Sequence, residues 1–275
     1  MTPAHRRAIR DGLAVAGLLF AAYLFVIVAP QVRTVGFDAI SYWSVDLEHP
    51  YARVAGEFGA FPYTPVAARA FAPANLLSWP SFWFLWTAIL LGTVAWLGGR
   101  RALLVLAFPP VAVELYHGNV HLVLAAAVGL GLRYPAAWAV VLLTKVTPGI
   151  GLLWFAVRRE WRSLGIALGV TAVVVAVSLA VDTRLWQEWI VEGLLPVAGA
   201  DVSQPHIEIP LLVRLPAAAA LVTWGAWTDR RWTIPVAVAL ALPVLWFSGL
   251  SIVAAIPAIE RLTPADDARG RVSAQ

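Results

Sequence analysis

Apolar runs of membrane-spanning length alternate along this chain with short basic clusters, and two longer polar stretches interrupt the rhythm. Residues 12–30 carry no charge, and ~20 apolar residues suffice for a helix to cross the hydrocarbon core. The basic start (His5, Arg6, Arg7, Arg10) suits a leader, but no small-residue cleavage site follows Ala29-Pro30-Gln31-Val32. The segment therefore reads as a retained first span. Residues 80–99, 102–116, 120–132, 163–181 and 211–227 read as further helical crossings. Residues 66–79 are apolar but short, and Arg69 and Pro73 interrupt them; a helix lying in the interface is expected there, or a re-entrant segment.

The clusters Arg6/Arg7/Arg10, Arg100/Arg101, Arg158/Arg159/Arg162 and Arg230/Arg231 punctuate these runs. Such clusters mark cytoplasmic ends of spans, which places the N-terminus and the polar tail 260–275 inside. Residues 31–65 and 182–209 then become two elaborated outer loops. Residues 135–157 do not fit a single crossing, because they begin beside Arg133 and end at Arg158 and Arg159. A pair of short helices turning near Lys145-Val146-Thr147-Pro148-Gly149 satisfies both ends, since proline and glycine break a helix and the freed backbone can face protein or a watery cavity. Residues 233–259 pose the same problem, with a break expected at Ser248-Gly249. The expected fold is an all-α integral membrane protein: a polytopic bundle with short and broken helices, built as a single transmembrane domain over residues 1–275.

Composition agrees. Hydrophobic residues make up 60% of the chain and charged residues 13%, against the roughly 25% charged residues of a soluble domain. The 14 tryptophans suit membrane–water interfaces. With no cysteine, neither disulfides nor thiolate-bound metal hold the chain together. The net charge of +4 is accounted for by topology and does not point to nucleic acid.

The candidate chemistry sits in the first polar loop, which is far longer than two helices need for their connection. It holds Asp38 with Tyr42, His49, Tyr51 and Tyr63. The run Asp38-x3-Tyr42, Pro50-Tyr51 and Phe61-Pro62-Tyr63-Thr64-Pro65 resembles the first outer loop of glycosyltransferase family 87. The later order also matches: a Gly118-Asn119 turn, a Lys145…Pro148 break and an Arg158-Arg159-x-Trp161 cluster. Departures are Thr64-Pro65 where a tandem proline is expected, Gly118-Asn119-Val120-His121 where Gly-Gln-x-Asn is expected, and a shorter chain with fewer spans.

The resemblance implies a GT-C type bundle. It also implies transfer of a hexose, most simply mannose, from a polyprenyl-phosphate donor to a lipid or glycan acceptor, at the outer face of the bacterial cytoplasmic membrane. Such a reaction needs a base for the acceptor hydroxyl, and a carboxylate within hydrogen-bond reach serves. Asp38 is that base by resemblance, giving single displacement with inversion. The leaving phosphate calls for cations or donors; Lys145 and Arg214 are the candidate cations, with His117 and His206 as donors. Tyr42, Tyr63 and Asn119 complete the expected substrate-binding set. No cofactor is demanded, because the lipid phosphate is itself a leaving group.

Plainer readings stand beside these. Asp38 also suits the N-cap of a short helix, Lys145 suits snorkelling to the interface, and Arg214 suits an interfacial anchor. Glu114 has a histidine as its natural partner and no assigned role. His117 and His121 have the spacing of metal ligands, but Gly118 intervenes and no base motif accompanies them. A lipid or solute transporter would show an internal repeat of broken helices, and the two broken stretches share no evident sequence. A non-catalytic shortened relative is the remaining alternative.

Overall fold

The computed structural model describes residues 1–32, 34–53, 57–195 and 206–263. Among them every regular element is helical. Helix α1 (Pro3–Val32) opens on Thr2, whose side chain accepts from the His5 amide, with proline in the first turn. It thus starts earlier than the uncharged run and takes in the basic residues. Leu13, Val15, Leu19 and Val26 stand exposed on it, as lipid-facing residues can, since lipid is as apolar as they are. Where α1 meets the bundle it does so through Gly17, at which a Cβ would overlap the carbonyl of Ala107.

The first polar loop folds on itself. It carries α2 (Ala39–Trp43) and α3 (Pro65–Phe71), which Thr64 caps. At Ala72 the helix tightens into a 3-10 turn, Ala72–Leu76, with Pro73 in its first turn. Helix α4 (Trp79–Gly98) starts at Ser78 and stops at Gly99, whose positive φ of 52° turns the chain sharply. The single run expected over residues 102–116 is in fact two helices, α5 (Ala102–Leu106) and α6 (Pro109–His117). The reason is local: Phe108 is extended, as a residue before proline prefers to be, and Pro109 and Pro110 cannot donate backwards. After α6 comes α7 (His121–Gly131).

Two broken hairpins follow. In the first, α8 (Pro135–Thr144) and α9 (Thr147–Val157) flank Lys145, whose backbone is extended. The fully buried Trp138 packs against Gly131 and Gly151, and Leu142 packs against Gly149. The pairings of Trp138 with Gly151 and of Leu142 with Gly149, nested about the break, make the halves antiparallel. In the second, α13 (Thr233–Leu240) runs to a turn, and a 3-10 stretch, Phe247–Ala255, returns into α14 (Ile256–Leu262). Leu242 packs against Gly249, and the Arg231 guanidinium donates to the Thr263 carbonyl, so start and end meet. The break covers residues 241–246, a few positions before Ser248-Gly249, because Pro243 falls there. The two turns are tied together by the Thr147 hydroxyl, which donates to the Ala241 carbonyl at 2.5 Å.

Helix α10 (Trp161–Val181) leads to α11 (Thr183–Glu188), capped by Asp182. Helix α12 (Leu211–Thr228) precedes the second hairpin. Between them, 182–195 form α11 and a π turn, and 196–205 of the second expected loop lie outside the described residues. So does nearly all of the tail 260–275, of which the first residues finish α14. The two polar loops interlock: Arg69 pairs with Asp182 at 3.1 Å, Arg184 donates to the Glu48 and Leu47 carbonyls at 2.7 and 3.0 Å, and Trp189 donates to the Pro62 carbonyl at 3.3 Å. At the other end, Arg101 meets Glu260 at 2.9 Å, and Arg158 meets Asp229 at 3.1 Å. Basic clusters from distant parts of the sequence thus gather at one end of the bundle. Four stretches, Pro3–Val32, Trp79–Leu106, Trp161–Val181 and Leu211–Thr228, are long and apolar enough to hold a membrane span. The protein is an all-α membrane protein.

Candidate active site

The loop before α2 docks on the end of α6. The Gly36 amide donates to the Tyr116 carbonyl at 2.9 Å and the Asp38 amide to the His117 carbonyl at 3.0 Å. Immediately afterwards Gly118 adopts φ +68°, and its amide closes α6 on the Glu114 carbonyl at 2.8 Å. A Cβ at this glycine would lie 2.6 Å from the Trp83 ring and 2.8 Å from the Ala39 Cβ. The left-handed turn and the close approach both ask for glycine here. The turn brings Asn119 face to face with Asp38.

Asp38 does stand at the cap position of α2, but its carboxylate makes no capping bond. Instead the Asn119 amide nitrogen donates to Asp38 Oδ2 at 2.8 Å. Asn119 Oδ1 accepts from the Val120 amide at 2.6 Å and from the Tyr42 hydroxyl at 3.2 Å. With Tyr42's one proton committed to Asn119, the Tyr63 hydroxyl donates to Tyr42, at 2.9 Å. Burial drives both phenols upward, and both remain protonated at any working pH. Burial likewise raises the Asp38 carboxyl above its ordinary value, against the pull of the His117 imidazole and the Asn119 hydrogen bond.

The network continues on the other side of Tyr63. The Lys145 ammonium lies 5.5 Å from the Tyr63 ring centroid, a cation–π distance, and 2.8 Å from His121 Nε2. His121 Nδ1 faces Glu114 Oε2 at 3.0 Å, and Glu114 Oε1 accepts from the His121 amide at 2.6 Å. Glu114 and His121 are fully buried. One polar chain therefore runs Asp38–Asn119–Tyr42–Tyr63–Lys145–His121–Glu114, drawing on the first loop, α6, α7 and the first hairpin.

A cavity of about 550 Å³ opens along this chain. Asp38, Tyr63, His117, Asn119 and Lys145 line it. The turns of both hairpins contribute, through Thr144–Thr147 and through Pro243, Val244 and Trp246–Ser248, and apolar side chains such as Val113 and Leu211 form much of the remaining wall. Tyr42, fully buried, stays behind the wall and is hydrogen-bonded to the site through Asn119 and Tyr63.

Two expected site residues are elsewhere. Arg214 is 4% exposed, and its guanidinium donates to the carbonyls of Ile209, Leu240, Leu242 and Pro243 at 2.6 to 2.9 Å. It holds the turn of the second hairpin, whose carbonyls the break leaves without helical donors, and it is absent from the cavity wall. His206 packs edge-on against Trp246, centroids 5.8 Å apart, and is likewise not part of the wall. Glu114, His121, Glu57 and Ser248 do belong to the site or its support and were not singled out for it. The available signal was a carboxylate and an imidazole inside otherwise apolar runs, since ionisable residues at membrane depth are rare without partners.

The fold and this cavity define a polytopic membrane protein with an internal site whose wall is part polar and part apolar. A family model for glycosyltransferase family 87 matches residues 61–259, and the chain belongs to that family. It is therefore a membrane glycosyltransferase, acting between a sugar donor and an acceptor. Asp38 lies before the matched segment, while Tyr63, His117, Asn119 and Lys145 lie within it. No curated protein and no solved structure matches the chain.

Proposed function

We propose that this glycosyltransferase moves a hexose, most simply mannose, from a polyprenyl-phosphate donor onto a lipid or glycan hydroxyl. Asp38 acts as the base, and the reaction is a single displacement with inversion. The observation that carries this reading is the shared cavity: a carboxylate, Asp38, and a cation, Lys145, line one 550 Å³ space and are joined by a continuous polar network. Asp38 removes the acceptor proton as the hydroxyl attacks the anomeric carbon. Lys145, backed by His117, takes up the charge that grows on the leaving phosphate. The apolar wall suits the first isoprene units. Asn119 orients the carboxylate, Tyr42 holds Asn119, and Tyr63 offers a ring for the sugar and a face for the Lys145 ammonium.

In this reading the interlocked polar loops lie on the outer face of the bacterial cytoplasmic membrane, and the arginine-rich end and the N-terminus lie in the cytoplasm. Arg214 and His206 take no direct part. The test is transfer from radiolabelled polyprenyl-phospho-mannose, -glucose and -arabinose by purified protein in lipid nanodiscs. Asp38→Asn is expected to insert normally and to lose at least ~10²-fold in rate, the low end of what a general base contributes. Wild-type turnover by that variant rejects Asp38 as base, and transfer of none of the sugars from any polyprenyl phosphate rejects the donor class.

A further inference from the structure

Behind Lys145, and outside the cavity wall, Glu114 and His121 are fully buried. Glu114 reaches the start of α7, where its Oε1 accepts from the His121 and Leu122 amides at 2.6 and 3.3 Å. That much is a helix cap, and any acceptor of this length would serve. The second oxygen, Oε2, lies instead 3.0 Å from His121 Nδ1, while His121 Nε2 lies 2.8 Å from Lys145 Nζ. An ammonium has three donors and no acceptor, so Nε2 must accept. The imidazole proton then sits on Nδ1, where it donates to Glu114.

We infer that Glu114 and His121 are positioning residues for the donor phosphate: the carboxylate locks His121 in the Nδ1–H tautomer, and the acceptor nitrogen so exposed holds the Lys145 ammonium in place at the cavity. The inference rests on the reading of Lys145 as the cation that meets the phosphate. Three features support it beyond simple packing. Lys145 is on extended backbone at a helix break, where no helical rotamer restrains its long side chain. The tether takes one ammonium proton, and the Tyr63 ring covers one flank at 5.5 Å. Glu114 sits behind the cavity wall, on the far side of His121 from Lys145. An orienting acceptor behind a charged ligand is the arrangement that holds metal-binding histidines in place; here the oriented group is an ammonium.

Glu114→Gln separates this role from capping. The glutamine keeps the oxygen that accepts the two amides, but turns an NH2 group toward Nδ1. Nδ1 must then accept, the proton moves to Nε2, and a donor faces the ammonium. The probe is free polyprenyl phosphate, titrated against the purified protein in nanodiscs, with donor KM and kcat measured alongside. Glu114→Gln is expected to weaken polyprenyl phosphate binding about tenfold, the loss of one charge-assisted hydrogen bond, and to raise donor KM more than it lowers kcat. Combined with Lys145→Ala it should add little, because both act through one ammonium. In wild-type protein labelled with 15N-histidine, His121 should show the Nδ1–H tautomer, a measurement that does not depend on a variant folding. An Nε2–H tautomer overturns the inference, as does unchanged polyprenyl phosphate binding by Glu114→Gln. If Lys145→Ala itself binds polyprenyl phosphate normally, the reading of Lys145 fails; if only Glu114→Gln does, the reading stands and the tautomer lock fails.

Discussion

Asn119→Asp exchanges one NH2 group for an oxygen at the centre of the site. The retained oxygen keeps both of its bonds, from the Val120 amide at 2.6 Å and the Tyr42 hydroxyl at 3.2 Å, so the turn at Gly118 has no reason to move. The new oxygen faces Asp38 Oδ2 across the 2.8 Å that the amide bond now spans. Two carboxylates at that distance do not both ionise; they share a proton, and one of them titrates far higher. The wild-type Asp38 carboxyl is already raised by burial, and the change raises it further. A base works ionised, so activity falls as pH drops through the folded-state value, and the acid limb of the rate profile moves to higher pH. The shared proton makes Asp38 a poorer base, and a penalty the size of one hydrogen bond to a charged group, about 1.5–3 kcal/mol, is roughly 10- to 100-fold at about 1.4 kcal/mol per decade. The assay is the pH dependence of kcat for sugar transfer in nanodiscs, with thermal unfolding as the control. An acid limb and neutral-pH rate both equal to wild type, in a variant of normal stability, would refute Asp38 as base and Asn119 as its orienter.

Gly118→Ala is expected to destabilise the protein by at least about 1 kcal/mol from the positive φ alone, with more from the Trp83 ring 2.6 Å away; a melting temperature equal to wild type counts against the turn. Arg214→Ala strands the carbonyls of Ile209, Leu240, Leu242 and Pro243. It should lower stability by about 2–4 kcal/mol, on the order of 1 kcal/mol for each lost bond, while the folded fraction keeps its affinity for polyprenyl phosphate. Loss of that affinity at unchanged stability would show that Arg214 binds the donor after all.

Much of the architecture was legible because its signals are local. A proline or a glycine acts where it stands, so the break at Lys145 and the long folded loop could be read from a few adjacent residues. The misplacements were local too. Pro109 and Pro110 divide a run whose hydrophobicity is continuous, and Pro243, not Ser248-Gly249, sets the second break. In the site, Asp38 and Lys145 stood out as ionisable residues in unusual settings and Tyr63, His117 and Asn119 through the family resemblance, and the structure brings all five to one cavity. Arg214 stood out by the same rule and lies outside it, because a buried guanidinium answers equally well to a phosphate and to a row of unpaired carbonyls. Composition does not distinguish the two.

The order of apolar runs, the break at Lys145 and the class of protein follow from the chain alone, since hydrocarbon admits only segments that satisfy their own backbone. Pairing was a different matter. Asn119 meets Asp38 across 81 residues and Arg69 meets Asp182 across 113, and nothing within either stretch announces the other. Only the packing of glycine-edged helices, which sets two backbones at one distance and one angle, decided which polar groups would face each other and which would merely be buried.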